Sequence, residues 1–303
     1  MSAAPGALEA AGQFGELPFG RFTRRVGAEV RKRSVYAIAA AILLLVAVIA
    51  VFGPMLPLAD PQAPSLLDRL QPPLSHGSDG TMHLAGTDQL GRDVLSRTVR
   101  GARVSVGIAL ATAFVSGTIG SILGLVAGYR GGWVDQLVMR LVDLQMAFPA
   151  MLLAIFLLYL IGSSVTNLVI LLTIFSWAGF ARVARAETLR VRNLAFVEGA
   201  EAVGATTPRI LFFHIFPHLI PVLSVLAVFD FAGVMLAESS LSFLGLGIQP
   251  PGSSWGLMLA ESRDHLYTGG WWLFVIPGAA LFSTTLSANL TSRWIQELMR
   301  IRE

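Results

Sequence analysis

Long stretches without charged side chains alternate with short polar segments along this sequence. Charged residues are absent from 35–58, 104–129, 144–181 and 265–292, and Asp230 alone interrupts the run 210–237. A helix needs about 20 apolar residues to cross a bilayer, so the run 144–181 is too long for one span. A turn at 162–167 would divide it. The pattern predicts six transmembrane helices, at about 36–58, 104–129, 134–160, 166–185, 210–237 and 270–292.

The composition supports an all-α membrane protein. Mean hydropathy is +0.67 and 14% of the residues are charged, against about 25% in soluble domains. The sequence has no cysteine, which excludes disulfides and cysteine-based zinc sites. Its one lysine, Lys32, lies between two arginines, so the sequence lacks the Gly-Lys-Ser/Thr of a phosphate-binding loop. If ATP drives this protein, ATP hydrolysis takes place on another polypeptide.

Arginine placement predicts the orientation in the membrane. Arginines cluster before the first span, in the 186–209 loop and after the last span, whereas the 239–269 loop has only Arg263. Because cytoplasmic loops are enriched in Arg and Lys, both termini and the 186–209 loop are predicted to be cytoplasmic. We read the net charge of +3 as this topology signal rather than as a nucleic-acid surface. The predicted organisation is a cytoplasmic tail (1–34), the first span with an extracytoplasmic segment (35–103), a core of five spans (104–292) and a cytoplasmic tail (293–303).

The extracytoplasmic segment between the first two spans is predicted to be ordered. Six prolines restrict the stretch from 54 to 73, and a helix capped by Thr87 or Asp88 is expected after it. Asp88 and Arg92, and likewise Asp93 and Arg97, have the i,i+4 spacing of helical ion pairs. One interpretation is an amphipathic helix lying on the bilayer. The other is a lid or docking surface, for which the candidate residues are Thr87, Asp88, Gly91, Arg92 and Asp93.

The loop between the fourth and fifth spans contains a short helix rich in small residues. Asn193 can cap this helix and Gly204 suits its left-handed end. Its narrow surface offers Glu198 and Glu201 for charged contacts, which favours docking into a cleft of another protein over resting on lipid headgroups. Thr206 or Thr207 would then begin the next helix, with Pro208 in its first turn.

Several polar or small residues inside the spans have two interpretations each. Glycines at 120, 124 and 128 predict close helix packing, although a dimer interface has the same signature. Asp230 is either a pathway residue or a hydrogen-bonded structural residue, with Arg140 and Asp143 as candidate neighbours, and Glu238 ends the same span. His214 and His218 have i,i+4 spacing, but no Cys or His-Glu-x-x-His accompanies them, so a metal site is not expected.

Five stretches together resemble one family of transport proteins. Glu198-Gly199-Ala200 with Gly204 and Pro217 resembles the EAA loop of binding-protein-dependent ABC importer permeases. Four more stretches, beginning at Gly86, Gly131, Glu238 and Pro250, are similar to the C-type subunit of dipeptide, oligopeptide and nickel importers. The tail after Leu290 departs from the family pattern, as do Gly199 and His218.

The resemblance implies a fold, a function and partners. It implies a type I ABC importer permease in the bacterial inner membrane, not an enzyme, that forms half of an alternating-access pathway for dipeptides, oligopeptides or a related small solute. Glu198, Gly199, Ala200, Gly204 and Pro217 would dock on an ATPase. The implied partners are a homologous permease in a heterodimer, two ATPase subunits that bind ATP and magnesium, and an extracytoplasmic substrate-binding protein. This chain is expected to contact membrane lipid and to bind neither a cofactor nor a nucleic acid. The alternative function is an ion-coupled secondary transporter.

Overall fold

The computed structural model describes residues 18–300, with side chains from 34 to 299, and is almost entirely helical. The remaining parts of the two predicted tails, 1–17 and 301–303, lie outside the described residues. The elements in chain order are α1 (Pro18–Phe52), β1 (Ser75–His76), β2 (Met82–His83), α2 (Val94–Arg130), α3 (Gly132–Ala147), α4 (Ala150–Ile161), α5 (Val165–Val191), α6 (Ala195–Ala202), α7 (Thr207–Arg209), α8 (Phe216–Phe243), α9 (Trp255–Ser262) and α10 (Trp272–Arg300). Three 3-10 turns (Gly53–Met55, Leu66–Asp68, Arg263–His265) and a π-helix (Ile210–Ile215) complete the list.

Five of the described helices are long and apolar enough to cross a membrane, and the pair α3–α4 provides a sixth candidate span. The predicted third span over 134–160 corresponds to this pair, in which α3 and α4 meet at 85°. The break falls at Phe148–Pro149, where Phe148 is extended (φ −94°, ψ 141°). A residue before proline is driven out of the helical region, which explains the position of the bend. Helix α1 begins before the predicted first span, and α10 continues to Arg300 through part of the predicted tail.

Helix α2 is the longest α-helix described and packs along α5 through its glycines. With 37 residues it is about 55 Å long. A Cβ atom added at Gly124 would lie 2.8 Å from the Cβ of Ala184, and one at Gly128 would lie 2.8 Å from the Cβ of Thr188. Helix α5 therefore covers the glycine face of α2. This contact decides for helix packing within the chain over a dimer interface.

The segment before α2 (residues 56–93) and the segment after α8 (residues 244–271) form one folded unit, which we call the cap. A hairpin of β1 and β2 pairs Ser75 with His83. The side-chain amide of Gln62 donates a hydrogen bond to the carbonyl oxygen of Pro251 over 3.3 Å, and the indole nitrogen of Trp272, at the start of α10, donates to the carbonyl oxygen of Thr87 over 3.1 Å. These contacts give the α1–α2 segment a defined fold. Its position outside the cell stays a prediction.

Asp68 holds the first part of the cap together. Its carboxylate accepts hydrogen bonds from the Ser65 hydroxyl (2.6 Å), the Ser78 amide (2.8 Å) and the Ser78 hydroxyl (2.9 Å). These bonds, led by that from Ser65, hold the pKa of Asp68 below its usual value. Ionised Asp68 therefore stabilises the folded cap at neutral pH.

We expect the cap to loosen locally in acid. Because the folded pKa of Asp68 is lowered, its stabilisation is present above the ordinary carboxyl pKa of about 4 and is lost as the pH falls through the folded pKa. Hydrogen exchange of residues 65–83, corrected for intrinsic rates, should speed up between pH 7 and about pH 3. Asp68→Asn should remove most of this step and leave a smaller one from Asp79, whose pKa is lowered by hydrogen bonds from Thr81. An unchanged step in Asp68→Asn would contradict the assignment.

Candidate functional site

The short helix α6 lies at the end of α2 opposite the cap. The Tyr129 hydroxyl, one residue before α2 ends, donates to the Glu201 carboxylate over 2.9 Å. Arg192 reaches from the end of α5 to the carbonyl oxygen of Gly128 over 2.9 Å, which satisfies a free carbonyl in the last turn of α2. Helix α6 is therefore bonded to the end of α2, and the end of α2 is bonded to the end of α5.

The ends of α6 differ in how well they were predicted. Leu194 is the N-terminal cap residue and provides no side-chain hydrogen bond, so the prediction that Asn193 caps α6 is wrong. The Asn193 amide instead donates to the carbonyl of Leu189 in the preceding helix. At the other end Gly204 has φ +83°, as predicted. The Gly204 amide bonds to the Glu201 carbonyl and the Ala205 amide to the Ala200 carbonyl, which is the Schellman arrangement.

One side chain of α6 anchors the helix in the apolar core. Val197 is fully buried in an apolar cluster formed by the ends of α2, α5, the π-helix and α8. Among its members are Leu125, Val191, Ile210 and Leu219, one from each of these elements. Phe196 adds a second contact by stacking on His218, with ring centroids 5.0 Å apart. Val197 therefore packs α6 against three spans.

The remaining surface of α6 is open. Glu198 and Gly199 are exposed, Ala200 is half-buried, and Gly204 is exposed. Val203 at the tip of the loop is 89% exposed, the second highest value among the large apolar side chains described. The outer surface of α6 and the valine that follows it are therefore accessible to another protein.

Pro217 lies where the chain returns to the membrane. It is exposed and lies in the first turn of α8, and α8 directly follows the π-helix Ile210–Ile215. Proline has no amide hydrogen for the carbonyl four residues earlier, and its ring would clash with that carbonyl. A widened turn relieves this conflict, which explains the π-helix at this position.

Asp230 lies beside a cavity of about 310 Å³ between α4, α5 and α8. The predicted neighbours were wrong, because Asp143 pairs with Arg182 over 2.9 Å and neither Arg140 nor Asp143 lines the cavity. Ser176 of α5 is the polar side chain that interacts with the Asp230 carboxyl. The oxygen Oδ2 is buried and has no hydrogen-bond partner among the described residues.

Glu238 has a different environment from Asp230. It is fully buried, and hydroxyl groups of Ser105 (3.4 Å), Ser239 (3.3 Å) and Ser242 (2.8 Å) donate to its carboxylate. The bond from Ser105 joins α8 to α2. Glu238 does not line the cavity beside Asp230.

The predicted docking residues of the cap form a buried ionic cluster. Asp88 pairs with Arg92 over 2.7 Å, as the spacing predicted, but the predicted Asp93–Arg97 pair does not form. Arg97 instead contacts Asp88 and Glu261, at 2.5 and 2.7 Å, and Asp93 pairs with His83 over 3.0 Å.

Three predictions about this segment are corrected. Helix α2 begins at Val94 with Asp93 as its N-cap, not Thr87 or Asp88, because Asp93 accepts from the Ser96 amide. The residues before it are a loop, in which Gly91 (φ +76°) fits against Ser65. An amphipathic helix on the bilayer is excluded, because Thr87, Asp88, Arg92 and Asp93 are all buried. Their burial also means that they shape the cap from inside rather than form its outer surface.

Metal-ligating residues do not gather in the part of the chain that the structure describes, where no group of three or more His, Cys, Asp or Glu is suited to an ion. His214 and His218 bond to backbone carbonyls, and His218 also stacks on Phe196.

Several residues at these sites escaped the sequence analysis. Glu261 is 164 positions from Arg97, and Val197 is an ordinary valine, so neither had a local signal. The position of Ser242, four residues after Glu238, was a readable signal, because residues one turn apart share a helix face.

Comparisons with known proteins agree on one family. Residues 120–301 match the family described as binding-protein-dependent transport system inner membrane component. The chain is 38% identical over 270 residues to a putative peptide transport system permease protein of Brucella suis biovar 1 (strain 1330), covering 89% of this chain and 88% of that protein. It is 34% identical to the dipeptide transport system permease protein of Bacillus subtilis (strain 168), covering 85% and 79%. It is 37% identical to the oligopeptide transport system permease protein of Haemophilus influenzae (strain ATCC 51907 / DSM 11121 / KW20 / Rd), covering 72% of each.

Proposed function

Because the chain belongs to the family of binding-protein-dependent transport system inner membrane components, we propose that α6 is the point where an ATPase drives it. As a member of that family it is a multi-span permease subunit of an ABC importer in the inner membrane, and it is a transport component, not an enzyme. Family membership decides against the ion-coupled secondary transporter.

The observation that carries this proposal is that α6 has an exposed outer surface and a buried anchor in the core. Its outer surface, with Glu198, Gly199, Glu201 and Val203, is exposed, while Val197 is rooted among α2, α5 and α8. A partner that moves α6 therefore moves the core spans with it, because close-packed apolar clusters transmit displacement rather than absorb it. The Schellman end at Gly204 fixes the exit of the helix, and Pro217 directs the chain back into the membrane.

The proposed assembly contains four kinds of subunit. Two ATPase subunits would bind ATP and magnesium, and one of them would receive α6. A homologous permease would supply the other half of the pathway as a heterodimer. A substrate-binding protein would deliver cargo on the outer side, against the cap. This chain itself would bind no cofactor and no nucleic acid, and both of its termini would be cytoplasmic.

The proposed cargo is a dipeptide, an oligopeptide or a related small solute. The support is that the relatives are named as permeases of peptide, dipeptide and oligopeptide transport systems. Asp230, which borders a cavity between three spans, is the proposed pathway residue. Glu238 is less well supported as a pathway residue, because serine hydroxyl groups already donate hydrogen bonds to its carboxylate.

The double variant Glu198→Arg, Gly204→Trp tests the role of α6. It reverses an exposed charge and puts a bulky side chain where φ is +83°, at a cost of about 1–2 kcal/mol for the left-handed backbone. We expect it to lose copurification with the ATPase subunits and ATP-driven peptide uptake, while still folding, because Val197 is unchanged. Gln136→Arg, an exposed change on α3, is the matched control and should retain both activities.

Two results would contradict the proposal. One is full ATP-driven uptake by the double variant. The other is labelling of Val203→Cys from outside intact cells, and the absence of any native cysteine makes that label unambiguous.

A further inference from the structure

The carboxyl group of Asp230 is a charge-bearing group without a basic partner inside an apolar span. Helix α8 is otherwise uncharged up to Glu238, and the residues that line the adjoining cavity include no arginine or lysine. The three arginines of the neighbouring α5 are engaged elsewhere: Arg182 pairs with Asp143, Arg185 with Asp135 and Arg190 with Glu187. A carboxylate within a span costs several kcal/mol unless a partner compensates it. Within the described residues that partner is missing.

The cavity beside Asp230 has room for such a partner. Its volume of about 310 Å³ is at the small end of the range for ligand sites. Ala150, Met151 and Ala154 of α4 line one side, and Phe175 and Ser176 of α5 line another. A Cβ atom added at Gly233, one turn after Asp230, would meet nothing within 4 Å. The carboxyl group therefore borders open space rather than packed side chains.

The break between α3 and α4 lies at the edge of this cavity. Helix α4 starts at Ala150, immediately after the 85° bend at Phe148–Pro149, and its first two residues line the cavity. Interrupted backbone at membrane depth is tolerated where it borders a cavity, and broken helices in transporters commonly flank the bound solute. The bend and the unpartnered carboxyl group are separate observations that indicate the same place.

We propose that Asp230 receives the positively charged α-ammonium group of a short peptide in transit through the cavity between α4, α5 and α8. Ser176 is then a positioning residue that orients the carboxylate, and Phe175 contacts the apolar part of the peptide. The inference rests on the proposed function, since it names how that cargo is recognised within the permease. A basic side chain of the partner permease is the competing occupant.

Zero-length crosslinking tests the contact directly. The complete complex, with substrate-binding protein and a labelled dipeptide, is held with ATP bound by a hydrolysis-deficient ATPase and treated with dicyclohexylcarbodiimide. The reagent joins a carboxyl group to an amine in contact with it, with loss of one water. We expect the proteolytic fragment that contains residue 230 to gain the mass of the dipeptide less one water. Asp230→Asn should abolish the adduct, and Asp264→Asn, at an exposed site outside the cavity, should retain it.

A coupling measurement adds a second readout. Asp230→Asn should lower the amount of dipeptide transported per ATP by about tenfold, the effect of losing one hydrogen bond to a charged group. ATP hydrolysis stimulated by the loaded binding protein should stay near the level of the unmodified complex, because α6 and the cap are unchanged. Ser176→Ala should show a smaller loss in the same direction.

The outcomes separate this inference from the proposed function. A crosslink from Asp230 to the partner permease, or a carbodiimide adduct at Asp230 without dipeptide, would overturn the inference and leave the importer intact. Equal transport per ATP in Asp230→Asn would do the same. Failure of the unmodified complex to transport any peptide would instead contradict the proposed function.

Discussion

Gly124→Leu is expected to prevent this permease from folding. A Cβ atom at position 124 would lie 2.8 Å from the Cβ of Ala184 and 2.9 Å from the backbone nitrogen of Arg185. Overpacking costs about 1–3 kcal/mol where side chains can move aside, and here the obstacle is mainly the backbone of α5. The cost should therefore exceed about 3 kcal/mol, a large part of a typical folding free energy. The measurement is the yield of monodisperse protein after extraction in detergent, which should fall to near zero.

Gly107→Leu is the matched control for this prediction. It lies on the same helix, and an added Cβ there meets nothing within 4 Å. Both variants gain helix propensity of about 0.8 kcal/mol and both add the same apolar side chain, so only the contact with α5 differs. Normal yield from Gly107→Leu together with loss of Gly124→Leu would establish that the α2–α5 crossing holds the core. Similar yields from the two variants would show that α5 does not lie against Gly124.

Features with a local sequence signal were predicted well. The apolar runs determined the number of spans, because a bilayer imposes a length of about 20 residues on each one. The end of α6 at Gly204 was predictable because glycine readily adopts a positive φ. The glycines of α2 predicted a close contact, and the structure supplied the helix that makes it.

Features set by distant parts of the chain were not predicted. Arg97 was expected to pair with Asp93, four positions away, but Asp93 is needed as the N-cap of α2 and for His83. Arg97 pairs instead with Glu261 of α9, a contact that depends on how the cap folds. The bend at Pro149 was predictable only as a kink, since the angle between α3 and α4 is set by what each helix packs against. The neighbours of Asp230 were missed for the same reason.

The ionic cluster of the cap leads to the second large effect, that of Arg97→Met. Arg97 is 2% exposed and contacts Asp88 over 2.5 Å and Glu261 over 2.7 Å. Removing it leaves two carboxylates close together with Arg92 as their remaining basic partner. Breaking a buried ion pair from one side costs about 3–5 kcal/mol, because the abandoned charge stays buried. We expect the melting temperature of the purified protein to fall by several degrees or more.

Two further variants test whether burial of the ion pair, rather than the number of charges, produces this loss of stability. Arg182→Met breaks the pair with Asp143, in which both side chains are more than half exposed, and should cost at most about 1 kcal/mol. The triple variant Arg97→Met, Asp88→Asn, Glu261→Gln removes the stranded charges as well and should recover part of the stability. Two nitrogens of Arg97, Nε and Nη2, have no hydrogen-bond partner among the described residues, so the native cluster already carries an uncompensated desolvation cost. A triple variant less stable than Arg97→Met would mean that the carboxylates stabilise the cap through contacts other than Arg97.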